Sequence, residues 1–314
     1  MLRHLRITDL PTLIKLRRSS THGLAYPAKP AILGIIRSFS LLRYFLLIIF
    51  FRDWRNCWIE PLETRNTGVI RVQPRVSGTA WEVIDLFTIQ LNSGAITNLL
   101  DDISGPAIQS GALKILIRIP QDKDIFIEVR KAGFRPLWGE IVYKLPSNNL
   151  KHSDFPQQKS AAEWCQLTNF DKERAFRLFC SETPVFARSI LGPTINDWLS
   201  YEETLPEPNQ DLCVKGRKSE ELSSRLSIST MGEGRFFKLI SKYDYKNSLK
   251  DIIMQVMGET EIYPLYTMVN DYESNLIATL ERFGFLPFAR YDLMIKTLTE
   301  RVHTRKPLLV SARH

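Results

Sequence analysis

The chain has 314 residues, of which 44% are hydrophobic, and it carries a formal net charge of +8 at pH 7. This composition excludes an intrinsically disordered protein, and the length exceeds what one hydrophobic core usually supports, so two domains of about 150 residues are expected. Much of the positive charge lies near the two ends of the chain, without a basic motif interleaved with aromatic residues. The charge therefore predicts solvated ends and no nucleic-acid partner.

Four cysteines and five histidines are scattered along the chain, with no CxxC pair and no cluster at metal-ligand spacing. Such a distribution is typical of reduced thiols and indicates no disulfide framework. The sequence therefore predicts a cytoplasmic chain without a structural or catalytic metal site.

The first half of the chain predicts strands that alternate with helices. Apolar runs and period-two patterns predict strands at 3–7, 57–61, 68–74, 80–88, 113–119 and 138–145. Helical periodicity predicts helices at 10–19, 31–51 and 123–132, and a further helix after Thr88 with Ile96, Leu99, Leu100 and Ile103 on one face.

The segment 33–51 is intensely apolar and is interrupted only by two arginines and two serines. Its unbroken run, Tyr44 to Phe51, is far shorter than the ~20 residues of a membrane-spanning helix, so no transmembrane segment is predicted. The position deep in the chain does not fit a signal peptide. A buried helix of the first core is the favoured interpretation, and a surface that docks on a membrane or on the second domain is the alternative.

The second half follows a polar, proline-containing stretch at 146–160 that is typical of a linker. Strands are predicted at 211–216, 223–230, 234–242, 263–269 and 289–297, and helices at 171–180, 247–257 and 273–282.

The two halves repeat one another, because residues 113–134 align without a gap on residues 264–285. In both copies a helix enters a Gly-Phe pair, Gly133-Phe134 or Gly284-Phe285, and a further apolar strand follows. A repeat of this length indicates a duplicated domain and not a solenoid. The predicted organisation is an N-terminal domain at 1–147, a linker at 148–160, a C-terminal domain at 161–299 and a basic tail at 300–314.

This order of elements resembles the GCN5-related N-acetyltransferase (GNAT) superfamily. The residues that carry the resemblance are the strand, the helix entering the Gly-Phe pair and the closing strand of each copy, together with the similar opening turns Ile7-Thr8-Asp9 and Leu167-Thr168-Asn169. The resemblance implies an α/β fold, an α+β sandwich with two tandem acetyltransferase-like domains. Each domain would be a mixed, mostly antiparallel sheet flanked by helices.

The resemblance also implies a site for acetyl-CoA, between two parallel strands that splay apart. In that family the pyrophosphate lies on a Gln/Arg-x-x-Gly-x-Gly/Ala loop at the start of the next helix, where free backbone N–H groups attract an anion. The matching cofactor-binding candidates are Asn92, Ser93, Gly94, Ala95 and Ile96. Leu91 replaces the leading Gln/Arg and Ile96 the second small residue, so a turn glycine without a ligand is the alternative; the corresponding residues of the second half, 244–249, contain no glycine.

Catalytic candidates are the carboxylates Glu82 and Asp85 of the strand before this loop. One of them would act as the base that the resemblance implies, while a rim carboxylate without a catalytic role is the alternative. Period two puts the two carboxylates on opposite faces of the strand unless a bulge resets the alternation. The family's proton-donating tyrosine aligns with Val129 and Leu280, and neither side chain can donate a proton.

The predicted function is therefore an acyl-CoA-dependent N-acyltransferase with its CoA site in the N-terminal domain. Its partners would be acyl-CoA and an amine that no residue identifies, and nothing in the sequence indicates an oligomeric state. The alternative is a catalytically inactive, tandem GNAT-like binding or scaffold protein, which the departures from the family pattern favour.

Overall fold

A computed structural model of the chain describes residues 3–9, 11, 14, 57–59, 68–75, 78–88, 94–146, 164–201, 209–215, 221–231, 234–242, 246–258 and 264–298. Four predicted segments lie wholly or mostly outside these residues: the helix at 10–19, the apolar segment at 33–51, the linker at 148–160 and the basic tail at 300–314. Within the described ranges, no helix is long and apolar enough to cross a membrane. The same ranges contain no group of three or more His, Cys, Asp or Glu side chains that could hold a metal ion.

The strands of the described residues form one mixed sheet of twelve strands. Their bounds are β1 Arg3–His4, β2 Cys57–Ile59, β3 Gly68–Pro74, β4 Ala80–Thr88, β5 Lys114–Pro120, β6 Arg135–Leu145, β7 Trp164–Gln166, β8 Asn209–Lys215, β9 Leu222–Met231, β10 Gly234–Ser241, β11 Leu265–Asn270 and β12 Leu286–Thr297. The predicted strands at 68–74 and 80–88 are confirmed with the same bounds. β7 was not predicted, because three partly exposed residues are too few to show an alternation.

Eight α-helices are present in the described residues. They are α1 Ala95–Asp102, α2 Ser104–Gln109, α3 Lys123–Lys131, α4 Lys172–Glu182, α5 Val185–Leu191, α6 Ile195–Tyr201, α7 Lys246–Gly258 and α8 Ser274–Arg282. The helix predicted after Thr88 is confirmed as α1, which buries Ile96, Leu99 and Leu100. α2 was not predicted, because its Gly105-Pro106 pair is typical of a turn; a proline in the first turn of a helix loses no helical hydrogen bond.

Helices cover both faces of the sheet. On one face, α1–α3 share a core with Met294 of β12, and α7 and α8 share a core with Phe285. On the opposite face, α4–α6 share a core with Trp138 of β6 and Leu293 of β12. We call these the α1–α3 face and the α4–α6 face. The architecture is the α/β sandwich that the sequence predicted.

The two halves of the chain exchange strands at the centre of the sheet. β12, the last strand of the second half, lies between β5 and β6 of the first half and is antiparallel to both. β6 in turn lies between β12 and β11 of the second half. Each half therefore has a strand of the other half between its own fifth and sixth strands. The sequence repeat did not predict this exchange, and the division at 147 and 161 stays a prediction.

Side chains tie the halves together on both faces of the shared sheet. On the α4–α6 side, Lys114 Nζ of β5 donates to the carbonyl oxygen of Ile190 at 2.8 Å, and burial lowers the pKa of this lysine. On the α1–α3 side, Lys296 Nζ of β12 lies 2.7 Å from Asp101 Oδ1 of α1. The halves are thus joined by main-chain pairing and by side chains of both.

Candidate functional site

A gap opens between β4 and β5 in the first half. The two strands are parallel and pair at four positions, from Ala80 opposite Lys114 to Val83 opposite Ile117. Both strands then continue, β4 to Thr88 and β5 to Pro120, without further pairing to each other. The two strands therefore diverge beyond Val83 and Ile117, which is the splayed arrangement that the resemblance implied.

A bulge in β4 sets the direction of the two candidate carboxylates. Arg71 of β3 lies opposite Asp85, but the next residue, Val72, lies opposite Val83, so Ile84 is an extra residue on β4. An extra residue resets the alternation of side chains. Glu82 and Asp85 therefore share one face of the strand. Regular alternation would have placed them on opposite faces, and the bulge is the exception named in the sequence analysis.

That shared face is the α4–α6 face. Trp81, Val83 and Leu86 of β4 belong to the core beneath α1–α3, and the carboxylates point away from it. Arg118 of β5, which reaches Glu82, lies opposite Leu293, whose side chain packs under α4–α6. Glu82 and Asp85 are 4% and 2% exposed, so both are buried carboxylates.

Asp85 lies in a buried ion pair with Arg71. Arg71 Nε donates to Asp85 Oδ2 at 2.6 Å, and a terminal nitrogen of the same guanidinium lies 2.5 Å from that oxygen. A charge-assisted pair of this kind is a stable arrangement for a buried carboxylate. The Arg71 guanidinium lies directly on this carboxylate, so base catalysis by Asp85 requires the pair to open.

Glu82 is part of a longer chain of buried charges. Its Oε2 lies 2.5 Å from Arg75, and its Oε1 lies 3.4 Å from Arg118. Arg118 also pairs with Glu140 on the exchanged strand β6. The sequence analysis identified Glu82 but none of these partners, because their contacts cross four strands and leave no local pattern.

The N-terminus of α1 is already occupied by a carboxylate of this chain. The Gly94 N–H donates to Oε2 of Glu128 on α3 at 2.8 Å, and the Thr97 hydroxyl donates to the same oxygen at 2.9 Å. Lys131 Nζ donates to the other oxygen, Oε1, at 2.6 Å. Lys131, Gly94 and Thr97 together hold the pKa of Glu128 below its usual range, despite burial. Glu128 was not identified from the sequence, because its contact with Gly94 joins positions 34 residues apart.

The structure describes three of the five predicted cofactor-binding residues. Gly94 precedes α1 with a φ of 114°, a conformation that favours glycine, and a Cβ atom there would meet open space. Ala95 and Ile96 begin α1 with their side chains buried. Asn92 and Ser93 lie outside the described residues. The binding role of all five stays a prediction.

The positions of the family's tyrosine are hydrophobic core. Val129 on α3 and Leu280 on α8 are both fully buried. The nearby Tyr143 of β6 is also buried and donates to Glu281 Oε1 at 2.9 Å. Burial, followed by this hydrogen bond, raises the pKa of Tyr143 to about 12. These three residues do not supply a readily ionised proton donor.

The second half repeats the gap with different side chains. β10 and β11 are parallel and pair only at Arg235 opposite Leu265 and Phe236 opposite Tyr266 before they part. β10 carries Arg235 and Lys238 and has no carboxylate. Tyr266 packs edge-on against Phe288, with ring centroids 5.8 Å apart. The second gap therefore has the frame of the first, but β10 offers no carboxylate as a candidate base.

Solved structures share this fold, although no family model matches the sequence and no curated protein sequence matches it. A GCN5-related N-acetyltransferase from Sphaerobacter thermophilus is 12% identical, with a TM-score of 0.60, and 96% of each chain is covered. A tandem GNAT protein from the clavulanic acid biosynthesis pathway is 10% identical, with a TM-score of 0.55, covering 96% of this chain and 99% of that one. A putative acetyltransferase from Pyrococcus horikoshii is 9% identical, with a TM-score of 0.52, covering 95% and 89%.

At these identities the similarity shows the fold and leaves the activity open. The sandwich, the parting of β4 and β5, and its repetition at β10 and β11 agree with the similarity over the whole chain. The chain has the GCN5-related N-acetyltransferase fold, present twice in tandem.

Proposed function

We propose that the protein is an acyl-CoA-dependent N-acyltransferase whose acyl-CoA site is the gap between β4 and β5. The parting of these strands beyond Val83 and Ile117 is the observation that supports the proposal best. β4 ends at Thr88 and the next helix, α1, begins at Ala95, where a helix N-terminus favours an anion. Acetyl-CoA is the proposed cosubstrate, and a cytoplasmic amine the proposed acceptor.

The residues around the gap fit the two ends of such a cosubstrate differently. At the phosphate end, Gly94 has open space beside it, but its N–H group is held by Glu128. An incoming phosphate has to displace the Glu128 carboxylate, because both are anions at one helix terminus. Binding therefore requires Glu128 to turn away from α1.

At the reacting end, bound acyl-CoA would supply the thioester carbonyl that the amine attacks. Glu82 and Asp85 are the proposed acceptors of the amine proton, and both lie on the α4–α6 face. Asp85 lies beside Arg71, and Glu82 lies between Arg75 and Arg118, so either carboxylate accepts the proton only after an arginine has moved. The positions of the family's proton-donating tyrosine are occupied by Val129 and Leu280, so neither residue can protonate the departing thiolate.

A binding or scaffold protein without catalysis is the second candidate function. The contact of Glu128 with Gly94 favours it directly, because a carboxylate of this chain already lies where the phosphate of a ligand would bind. The buried ion pairs of Glu82 and Asp85 favour it as well, since paired charges stabilise a fold without serving chemistry.

Calorimetric titration of acetyl-CoA and of CoA into the full chain separates the two functions. We expect saturable binding that Gly94→Trp abolishes, because a bulky side chain would enter the space in front of α1. Gly111→Trp is the matched control: Gly111 also has a positive φ and open space, but it precedes β5 at the end away from the gap. Absence of binding to folded wild-type protein would rule out the enzyme and favour the scaffold.

A further inference from the structure

Cys165 and Cys213 face each other across the antiparallel pair of β7 and β8. The register places them directly opposite, and their Sγ atoms are 3.4 Å apart and not joined in a disulfide. Opposing residues in such a pair have Cα atoms roughly 4.5–5.5 Å apart, and disulfides span Cα separations of about 4.4–6.8 Å. The backbone therefore already holds the two cysteines at a distance that a disulfide bridges.

We infer that Cys165 and Cys213 are an oxidative modification site, which forms a reversible disulfide on exposure to a hydroperoxide. Cys165 is half-buried, whereas Cys213 is fully buried. The oxidant therefore reaches Cys165 first. Cys213 lies directly behind it as the thiol that resolves the oxidised sulfur.

The reaction balances with hydrogen peroxide as the only co-reactant. The Cys165 sulfur attacks one peroxide oxygen, and the O–O bond breaks. Cys165 becomes a sulfenic acid, and the other peroxide oxygen departs as water. The Cys213 sulfur then attacks the Cys165 sulfur, and the S–S bond forms as the hydroxyl departs in a second water. Two thiols lose two electrons, one peroxide gains them, and both thiol protons end in water.

The position of the pair explains what the disulfide would do to the fold. β7 is the last strand of the sheet order and pairs with β8 through only three residues. The bond would fix this edge and close the segment 166–212, which carries α4, α5 and α6. Those helices cover Trp138 and Leu293 on the exchanged strands. Closure restricts the unfolded chain, so the oxidised protein should unfold at a higher temperature.

The other two cysteines provide matched controls within the same molecule. Cys180 lies on α4 and packs against the same apolar cluster as Cys165 and Cys213, but strand pairing does not place it opposite either. Cys57 lies buried in β2 of the first half. If proximity across the strands decides which cysteines react, Cys57→Ser and Cys180→Ser should still form the disulfide between Cys165 and Cys213.

The test treats the purified full chain with hydrogen peroxide and measures intact mass, non-reducing peptide maps and the thermal midpoint. We expect a mass loss of two hydrogens, a peptide joining Cys165 to Cys213, and a midpoint at least about 5 °C higher, all reversed by dithiothreitol. Cys165→Ser and Cys213→Ser should each abolish these changes, while Cys57→Ser and Cys180→Ser retain them.

Two results would overturn the inference. One is a wild-type protein that oxidises only to sulfinic acid or links Cys165 to Cys180. The other is a mass loss of two hydrogens that persists in Cys165→Ser, the variant at the half-buried position where serine is tolerated best. Neither result depends on acyl-CoA binding, so this site and the proposed function succeed or fail separately.

Discussion

The β4/β5 gap of the first half and the β10/β11 gap of the second half have the same frame and different side chains. Each is a parallel pair that holds at its start and then parts. Beside the first gap lie the buried carboxylates Glu82 and Asp85 and a helix that begins after Gly94. β10 beside the second gap carries the basic residues Arg235 and Lys238 instead. The strand frame is thus repeated, whereas the candidate chemistry is confined to one half.

Through the exchange of β6 and β12, each gap is flanked by a strand of the other half. β5 forms one wall of the first gap, and β12 supports β5 from its other side. β11 forms one wall of the second gap, and β6 supports β11 in the same way. The halves differ in chemistry but depend on each other for structure.

The largest expected effect comes from separating the halves. Residues 1–147 and 161–299 expressed alone should each fail to fold, because each loses the strand between its fifth and sixth strands and exposes two unpaired strand edges. Circular dichroism and urea unfolding should show no cooperative transition. When both pieces are expressed together, they should associate and recover the transition of the intact chain. A cooperative transition in either isolated piece would contradict the strand exchange.

The next largest effect concerns the buried charges of β4. Asp85→Asn removes the negative charge that lies 2.5 Å from the buried Arg71 guanidinium, which should lower the free energy of unfolding by roughly 3–5 kcal/mol. Glu173→Gln in the second half is the control, because Glu173 and its partner Arg177 are both mostly exposed, and the loss of this pair should cost about 1 kcal/mol or less. Urea unfolding measures both.

A double variant, Arg71→Leu with Asp85→Leu, separates stability from chemistry. Removing both charges should recover most of the lost free energy of unfolding, because no unpaired charge stays buried. If Asp85 is the base, this stable variant still binds acyl-CoA and transfers no acyl group. Equal costs for Asp85→Asn and Glu173→Gln would show that the buried pair of Arg71 and Asp85 stabilises the fold no more than an exposed pair does.

Local patterns predicted the parts of the site that depend on one segment. β4 and the buried side of α1 follow from apolar runs and from helical periodicity, which neighbouring residues determine. The contact of Gly94 with Glu128 spans 34 residues, and the insertion of β12 between β5 and β6 joins opposite halves. The bulge at Ile84 is decided by pairing with β3 and has no mark in the sequence. Local sequence patterns therefore do not predict the pairing between distant segments, which only the structure shows.

The smallest expected effect, and the one that bears most directly on the first gap, comes from Glu128. Glu128→Gln keeps the size of the side chain and an oxygen that can accept from Gly94, but removes the negative charge from the N-terminus of α1. A phosphate then competes with a neutral group, so the Kd for CoA should fall about tenfold, equivalent to about 1.4 kcal/mol. Titration calorimetry of wild type and variant at equal ionic strength measures the change.

Asp124→Asn is the control, because it removes the same charge from an exposed position in the first turn of α3. Lys131, Gly94 and Thr97 hold the pKa of Glu128 below its usual range, so the wild-type carboxylate is ionised throughout the neutral range. The affinity difference should therefore stay constant around pH 7 and shrink only in acid, as Glu128 takes up a proton. Equal affinities in wild type and Glu128→Gln would mean that phosphate binds away from α1, and no binding in either would favour the scaffold. Binding of CoA by Glu128→Gln and not by the wild type would show that the Glu128 carboxylate keeps the phosphate away from the N-terminus of α1.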